Sequence, residues 1–315
     1  MKRREFLKLS AAVVAGTGLP LRAQAADLKE IRVGYQKTGV LVVARQRAIL
    51  EKKFADRNIA IRWIEFTSGP PLMEAMGNGN VDFGAVGDTP PIFAQAANAN
   101  VVYVAGSRIT NGQGILVPER SEIKAVADLK GRRVGFAKGT SAHNVVVAAL
   151  EGVGLTYADI TPVYLSPPDA GPAFANGGIE AWAIWDPYFA IGQKRQNGRI
   201  LVNAYEVAKT NSFYLANRDF VSAHARETRE VIDGLSEAAR WAEDHRDDVA
   251  RTLAAVTGVP LDVQTLAANR ATFTIGPVTE EIVATQQGVA DRFHRLGLIP
   301  KPIVVRDIVW RSTQT

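Results

Sequence analysis

Five short segments of the sequence gather hydrogen-bond donors where a strand pattern gives way to a helix pattern. They are Tyr35-Gln36-Lys37-Thr38-Gly39, Thr67-Ser68-Gly69-Pro70-Pro71, Gly87-Asp88-Thr89-Pro90-Pro91, Gly139-Thr140-Ser141-Ala142-His143-Asn144 and Trp185-Asp186-Pro187-Tyr188. The first turn of a helix carries unpaired N–H groups and a partial positive charge, so it holds an anion without Lys or Arg. Glycine lets the backbone come close, while Ser, Thr, Asn and Gln add donors. Each turn taken alone also fits ordinary helix capping, for which Ser, Thr and Asp are the preferred residues. Five such turns at one topological position point to a shared binding cleft.

Within that set, Gly139–Asn144 is the richest. Thr140 and Ser141 place two hydroxyls beside free helix N–H groups, and His143 either donates to an anion or faces solvent. Trp185 and Tyr188 suit an apolar wall or a buried aromatic pair, and Phe213 is another candidate for the wall. Asp186 would fix donors by hydrogen bonding. Asp88 is expected as a cap or a supporting acceptor, since it would repel an anion. Lys37 is the one cation in these turns, with Arg108 read as lying apart from them.

The turns need a parallel sheet to position them. Ile31–Gln36, Ile59–Phe66, Val81–Val86 and Val101–Ala105 read as strands, separated by helical segments that include Val40–Phe54 and Pro90–Ala97. A second series follows, with strands near Gly114–Val117, Arg133–Ala137, Ile160–Leu165, Ala181–Trp185 and Ile200–Val202. Helices are expected over Ser121–Leu129, Ser141–Glu151 and Pro167–Asn176. Strands alternating with helices imply βαβ units. Residues 214–216 read as a returning strand and 219–296 as mainly helical, with Val221–His245 the longest helix. The fold class is therefore α/β, with two parallel-rich mixed sheets flanked by helices and joined by two hinge strands. One lobe is expected over 26–110 and 212–315, the other over 111–211. Ligands of such sheets bind beyond the carboxyl ends of the strands.

The N-terminus reads as an address. Arg3-Arg4 opens a twin-arginine pattern, a short apolar stretch runs from Leu9 to Leu19, and Ala23-Gln24-Ala25 supplies a cleavage site. Residues 1–25 are thus expected to be an export signal peptide. They hold Lys2, Arg3, Arg4, Lys8 and Arg22 against Glu5, so the remainder carries +1 rather than the whole chain's +5. No basic stripe suits nucleic acid. The chain has no cysteine and four scattered histidines, which excludes disulfides and thiol catalysis and argues against a zinc site. Neither a G-x-S-x-G elbow nor a phosphate loop is visible. No cofactor is expected, and the protein is expected to be a monomer.

The stretches IRVGYQKTG (31–39), VDFGAVGDTPPIFA (81–94), VADLKGRRVGFAKG (126–139) with the following TSAHN, and AWAIWDPYF (181–189) resemble the periplasmic aliphatic sulfonate-binding proteins of bacterial ABC importers. The similarity spans most of 28–310. It implies the two-lobed periplasmic-binding-protein fold, with relatives that take taurine, nitrate, bicarbonate or thiamine-precursor pyrimidines. It also implies that Gln36, Thr89, Ser141, His143, Asn144, Trp185 and Asp186 line the cleft, with Thr38, Asp88 and Thr140 beside them. A permease with its ATPase is the implied partner, an alkanesulfonate the implied ligand, and sulfur acquisition from the periplasm the implied purpose. The alternatives are taurine, nitrate or a pyrimidine as ligand, or an enzyme on the same fold.

Overall fold

The computed structural model describes residues 28–108, 111–208 and 211–311; the signal peptide expected over 1–25 lies outside these residues. Two five-stranded mixed sheets carry the chain, each covered by helices on both faces.

The chain begins with β1 (Glu30–Tyr35), α1 (Gly39–Gln46), α2 (Ile49–Phe54), β2 (Ala60–Glu65), α3 (Gly69–Gly77), β3 (Phe83–Val86), α4 (Thr89–Ala96) and β4 (Val101–Arg108). The second sheet is built from β5 (Gln113–Pro118), β6 (Arg133–Phe136), α5 (Ser141–Gly152), β7 (Thr161–Tyr164), α6 (Pro167–Ala175), β8 (Ala181–Trp185), α7 (Tyr188–Arg195), β9 (Gly198–Asn203) and α8 (Ala204–Val207). The chain then returns as β10 (Asn211–Asn217) and closes with α9 (Arg218–Ala223), α10 (Ala225–Asp244), α11 (Arg246–Thr257), α12 (Leu261–Arg270) and α13 (Glu280–Arg295).

The strand orders are β2-β1-β3-β10-β4 and β7-β6-β8-β5-β9. In the first sheet β1 runs parallel to β2 and β3, while β10 is antiparallel to both β3 and β4. In the second, β6 is parallel to β7 and β8, while β5 is antiparallel to β8 and β9. One face of the first sheet packs on α1, α2, α10 and α11, the other on α3, α4 and α13. Helices α5 and α8 cover one face of the second sheet, and α6 and α7 the other. The β1–α1, β2–α3, β3–α4, β6–α5 and β8–α7 turns all fall where a strand hands over to a helix, which aims them at the space between the lobes.

Four elements differ from the sequence reading. The helix expected over Val40–Phe54 breaks at Ala48, whose φ of 51° is left-handed, and the turn lets Ile49, Leu50 and Phe54 face the core. Of the helix expected over Ser121–Leu129 only a 3-10 turn, Val126–Leu129, forms. Asp128 accepts the N–H groups of Lys124 and Ala125 at 2.8 and 2.9 Å, so its side chain competes with helical bonding. The expected Val221–His245 helix divides at His224 into α9 and α10. Helix α7 carried no periodicity signal; its first turn is closed by Ala190 N–H donating to Asp186 Oδ1 at 3.0 Å.

Candidate functional site

A cavity of about 230 Å³ lies between the lobes. Strand ends and helix starts make its polar part. After β1 come Gln36 and Thr38; Gln36 Nε2 donates to the Ala85 carbonyl at 3.4 Å, which ties the β1 turn to β3. Gly69 and Gly87 bring the backbone of the β2 and β3 turns to the wall. From the second lobe come Thr140 and Ser141 at the start of α5, with Trp185 and Asp186 after β8. Thr140 has extended backbone and its hydroxyl donates to the Ala137 carbonyl at 2.7 Å. The Ser141 hydroxyl donates to Gln113 Oε1 at 2.8 Å.

That last bond exposes a residue the sequence reading missed. Gln113 opens β5, is only 2 % exposed and lines the cavity, yet its Nε2 has no hydrogen-bond partner among the described residues. A buried amide donor left without a partner is costly and calls for a ligand or water. Its signal in the sequence was faint: a single Gln directly ahead of an apolar strand.

Arg108 is the second correction. At the end of β4 it lines the cavity, because the strand runs straight into the crossing between the lobes. Lys37 instead pairs with Glu65 at 3.1 Å on the exposed side of its turn. The apolar part of the wall comes from Val40, Leu41, Tyr214, Leu253, Ala267, Ala268 and Phe273. Phe213, considered for that wall, is fully buried against Tyr103 with ring centroids 4.8 Å apart.

Asp186 lines the cavity with its charge already matched. Arg270 at the end of α12 donates from Nε to Oδ2 and from Nη2 to Oδ1, both at 2.8 Å, and from Nη1 to Gln193 Oε1 at 2.7 Å. Burial pushes the Asp186 carboxyl above its usual range, and the guanidinium pulls the other way. The Arg270 guanidinium also sits 4.8 Å over the Phe189 ring.

Asp88, Thr89, His143 and Asn144 do not reach the cavity wall. All four are fully buried behind it, where α5 meets α4 and α13. Asn144 Nδ2 donates to Asp88 Oδ2 at 2.7 Å, and Arg292 Nη1 donates to Asn144 Oδ1 at 3.0 Å. Thr89 Oγ1 donates to Asp88 Oδ1 at 2.8 Å, and Gln286 Nε2 to the Asp88 carbonyl at 2.6 Å. Burial raises the Asp88 carboxyl to about 6, against the pull of Thr89, Asn144 and Arg292. His143 stacks on Phe136 at 5.0 Å and meets Phe293 of α13 edge-on at 5.1 Å. Burial, helped by Lys138, lowers it to about 4, so it is neutral at neutral pH. Neither of the outcomes considered for it, donor to an anion or solvent-facing helix start, matches this placement.

Among the described residues no group of three or more His, Asp or Glu side chains is placed to hold a metal ion, and no helix is long and apolar enough to cross a membrane. The arrangement can seat a small amphiphile, with neutral donors and one cation at the polar part and aliphatic and aromatic carbon elsewhere.

Residues 24–258 match the model of the NMT1-like family. The chain is similar, at 38% identity over 99% of its length and 98% of the relative's, to a protein of Escherichia coli (strain K12) named as an aliphatic sulfonates-binding protein. It is also similar to the solved alkanesulfonate-binding protein SsuA from Xanthomonas axonopodis pv. citri bound to MOPS, with a TM-score of 0.87, 39% identity, and coverage of 91% of this chain and all of that one. The crystal structure of the periplasmic aliphatic sulphonate binding protein SsuA from Escherichia coli gives a TM-score of 0.83 at 40% identity, covering 91% of this chain and 94% of that one. Likeness of this degree over nearly the full length, on a two-lobed scaffold with a cavity between the lobes, shows that the chain belongs to the NMT1-like family.

Proposed function

We propose that the protein captures aliphatic sulfonates in the periplasm and delivers them to an ABC importer, its permease driven by the partner ATPase. The observation that carries this reading is the unpartnered Gln113 Nε2, buried beside Ser141 and Thr140 at the start of α5 in a wall that also holds Arg108. A sulfonate is a permanent monoanion with weakly accepting oxygens. Neutral donors, a helix start and one guanidinium match it better than the strong cationic clamp suited to a phosphate dianion. Its hydrocarbon tail would lie on Leu41, Leu253, Phe273 and Trp185. Gln36, Thr38, Thr140, Ser141 and Trp185 thus act at the ligand. Asp88, Thr89, His143 and Asn144 support them from behind, and Asp186 does so through Arg270.

A taurine-type ligand would bring an ammonium and need a free carboxylate. Asp186 is engaged on both oxygens by Arg270, and Asp88 lies off the wall. Binding rather than catalysis is supported by the bonding of Ser141, whose hydroxyl donates to a neutral amide rather than to a base. Export by the twin-arginine route and the monomeric state rest on the sequence reading.

Isothermal calorimetry with 1-hexanesulfonate, taurine, nitrate and a thiamine-precursor pyrimidine tests this. The sulfonate should bind one to one, and Gln113→Leu should weaken it about tenfold or more through loss of a charge-assisted hydrogen bond. No sulfonate binding, or tighter binding of any of the other three, would overturn the proposal.

A further inference from the structure

A residue that only fills space between aromatic rings would be expected to be apolar. His143 occupies such a place, between Phe136, Tyr157 and Phe293, and yet carries two ring nitrogens into it. Its Nδ1 accepts the Gly139 N–H at 3.3 Å, which puts the ring proton on Nε2. Nε2 has no partner among the described residues. An imidazole here therefore leaves a buried donor unpaired, a cost that Leu or Phe would avoid. The nitrogen with a task is Nδ1.

That task concerns the turn that opens α5. Gly139 has a φ of +75°, in the left-handed region, and the next two residues, Thr140 and Ser141, line the cavity. The turn's other ties include the Thr140 hydroxyl and N–H, both directed to the Ala137 carbonyl, and the N–H groups of His143 and Asn144, which donate to the Thr140 carbonyl at 2.9 and 3.4 Å. His143 thus holds the turn from two sides, through its ring and through its backbone. Phe293 of the opposite lobe keeps the ring from swinging away.

We propose that His143 is a positioning residue for ligand capture: by accepting the Gly139 N–H while wedged between the lobes, it fixes the turn that presents Thr140 and Ser141 to the bound anion. The inference rests on the sulfonate reading of the cavity. It also has a pH signature. A protonated ring carries hydrogen on both nitrogens, so Nδ1–H would oppose the Gly139 N–H and the turn would have to move. A sulfonate keeps its charge throughout, so an acid limb in its binding belongs to the protein. The charged or titratable groups near the ring are Lys138 on the same turn, Tyr157 with its hydrogen-bonded neighbour Tyr164, Arg292 and Arg295 on α13, Glu151 farther along α5, and Asp88 before α4. Asp88 titrates near 6, whereas His143 does so near 4.

The test is calorimetric titration of 1-hexanesulfonate into wild type, His143→Asn and His143→Leu between pH 7.5 and pH 4, with a melting curve at each pH. Asn places an amide oxygen at the Nδ1 position and does not titrate; Leu fills the space without an acceptor. Wild-type affinity should fall about twofold between pH 5.5 and pH 4, in proportion to the charged fraction of the ring, which is about half at pH 4. His143→Asn should bind within about threefold of wild type at pH 7.5 and lack that fall, and His143→Leu should bind about tenfold weaker at pH 7.5. A step near pH 6 common to all three proteins is that of Asp88. Wild-type affinity in His143→Leu, or an unaltered acid limb in His143→Asn, overturns the inference while leaving the sulfonate reading intact. If His143→Leu does not fold, the profile of His143→Asn decides alone. Wild-type protein that binds no 1-hexanesulfonate at any pH overturns both.

Discussion

Arg270 and Asp186 meet across the cleft through two hydrogen bonds of equal length, 2.8 Å each, with side chains only 13 % and 12 % exposed. Arg270 ends a helix of the lobe built on the first sheet, and Asp186 follows a strand of the second. Around them Ala190 packs with Val263 and Ala267, so this flank of the cavity is both ionic and apolar. The opposite flank is joined by Asp88, Asn144 and Arg292, with Glu151 bridging Arg292 and Arg295. The lobes are fastened on both sides of the cavity.

Removing one member of the ionic flank should be far worse than removing both. Arg270→Leu leaves the Asp186 carboxylate buried without its partner, at a cost of about 3–5 kcal/mol. The double variant Arg270→Leu/Asp186→Leu should recover most of that loss. Urea denaturation of the four proteins of the cycle measures the coupling. Additive losses would mean that the pair contributes nothing as a pair.

Gly87 is the point where a single methyl should separate the lobes. A Cβ there would lie 2.9 Å from both Cβ and Oγ of Ser141 on the opposite lobe. Gly87→Ala should weaken 1-hexanesulfonate about tenfold by opposing the approach of α5, with a stability loss of about 1–3 kcal/mol in the ligand-free protein. Calorimetry alongside thermal melting separates the two effects. Full affinity in the variant would show that this approach is not needed for capture.

Asp88 should leave a mark on stability against pH. Its folded value of about 6 lies above the ordinary 3.8, so its contribution is fully present below 3.8 and is lost as pH rises through 6. The unfolding free energy of wild type minus that of Asp88→Asn should therefore grow as pH falls from 7 towards 4, by about 1.4 kcal/mol per pH unit at most. His143 works in the other direction, since its lowered value makes acid destabilising, but it is common to both proteins. A difference that stays flat over this interval would count against a buried, titrating Asp88.

The sheets were legible in the sequence because the central strands are short apolar runs between turn residues and β2 alternates apolar with polar. Val81–Val86 and Ala181–Trp185, for instance, are buried except for the half-buried Ala85 and Trp185. Helix α7 was not, since Gly192 and the charged Lys194 and Arg195 blur its periodicity, and Asp186 supplies its first-turn partner from outside the helix. In the site, Gln36, Thr38, Thr140, Ser141, Trp185 and Asp186 sit on the cavity wall because a residue next to a strand end points there by topology. His143 and Asn144 lie only two and three residues past Ser141, but the helix turns about 100° per residue and carries them to the lobe interface. Gln113, Arg108 and Arg270 could not be placed by motif. Two belong to the crossing strands, and the third is brought in from a helix more than eighty residues beyond Asp186, which only the tertiary packing does.

Strand β10, set between β3 and β4, has a consequence for how the molecule is made. Every strand of the second sheet lies within one unbroken stretch, so that layer can complete its own ladder as soon as residue 203 has left the ribosome. The first sheet is still split at that moment, with β3 and β4 lacking the partner that joins them. The expected order of assembly is from the inside outward, so pulse-labelled hydrogen exchange during refolding should protect β5–β9 before β3, β4 and β10.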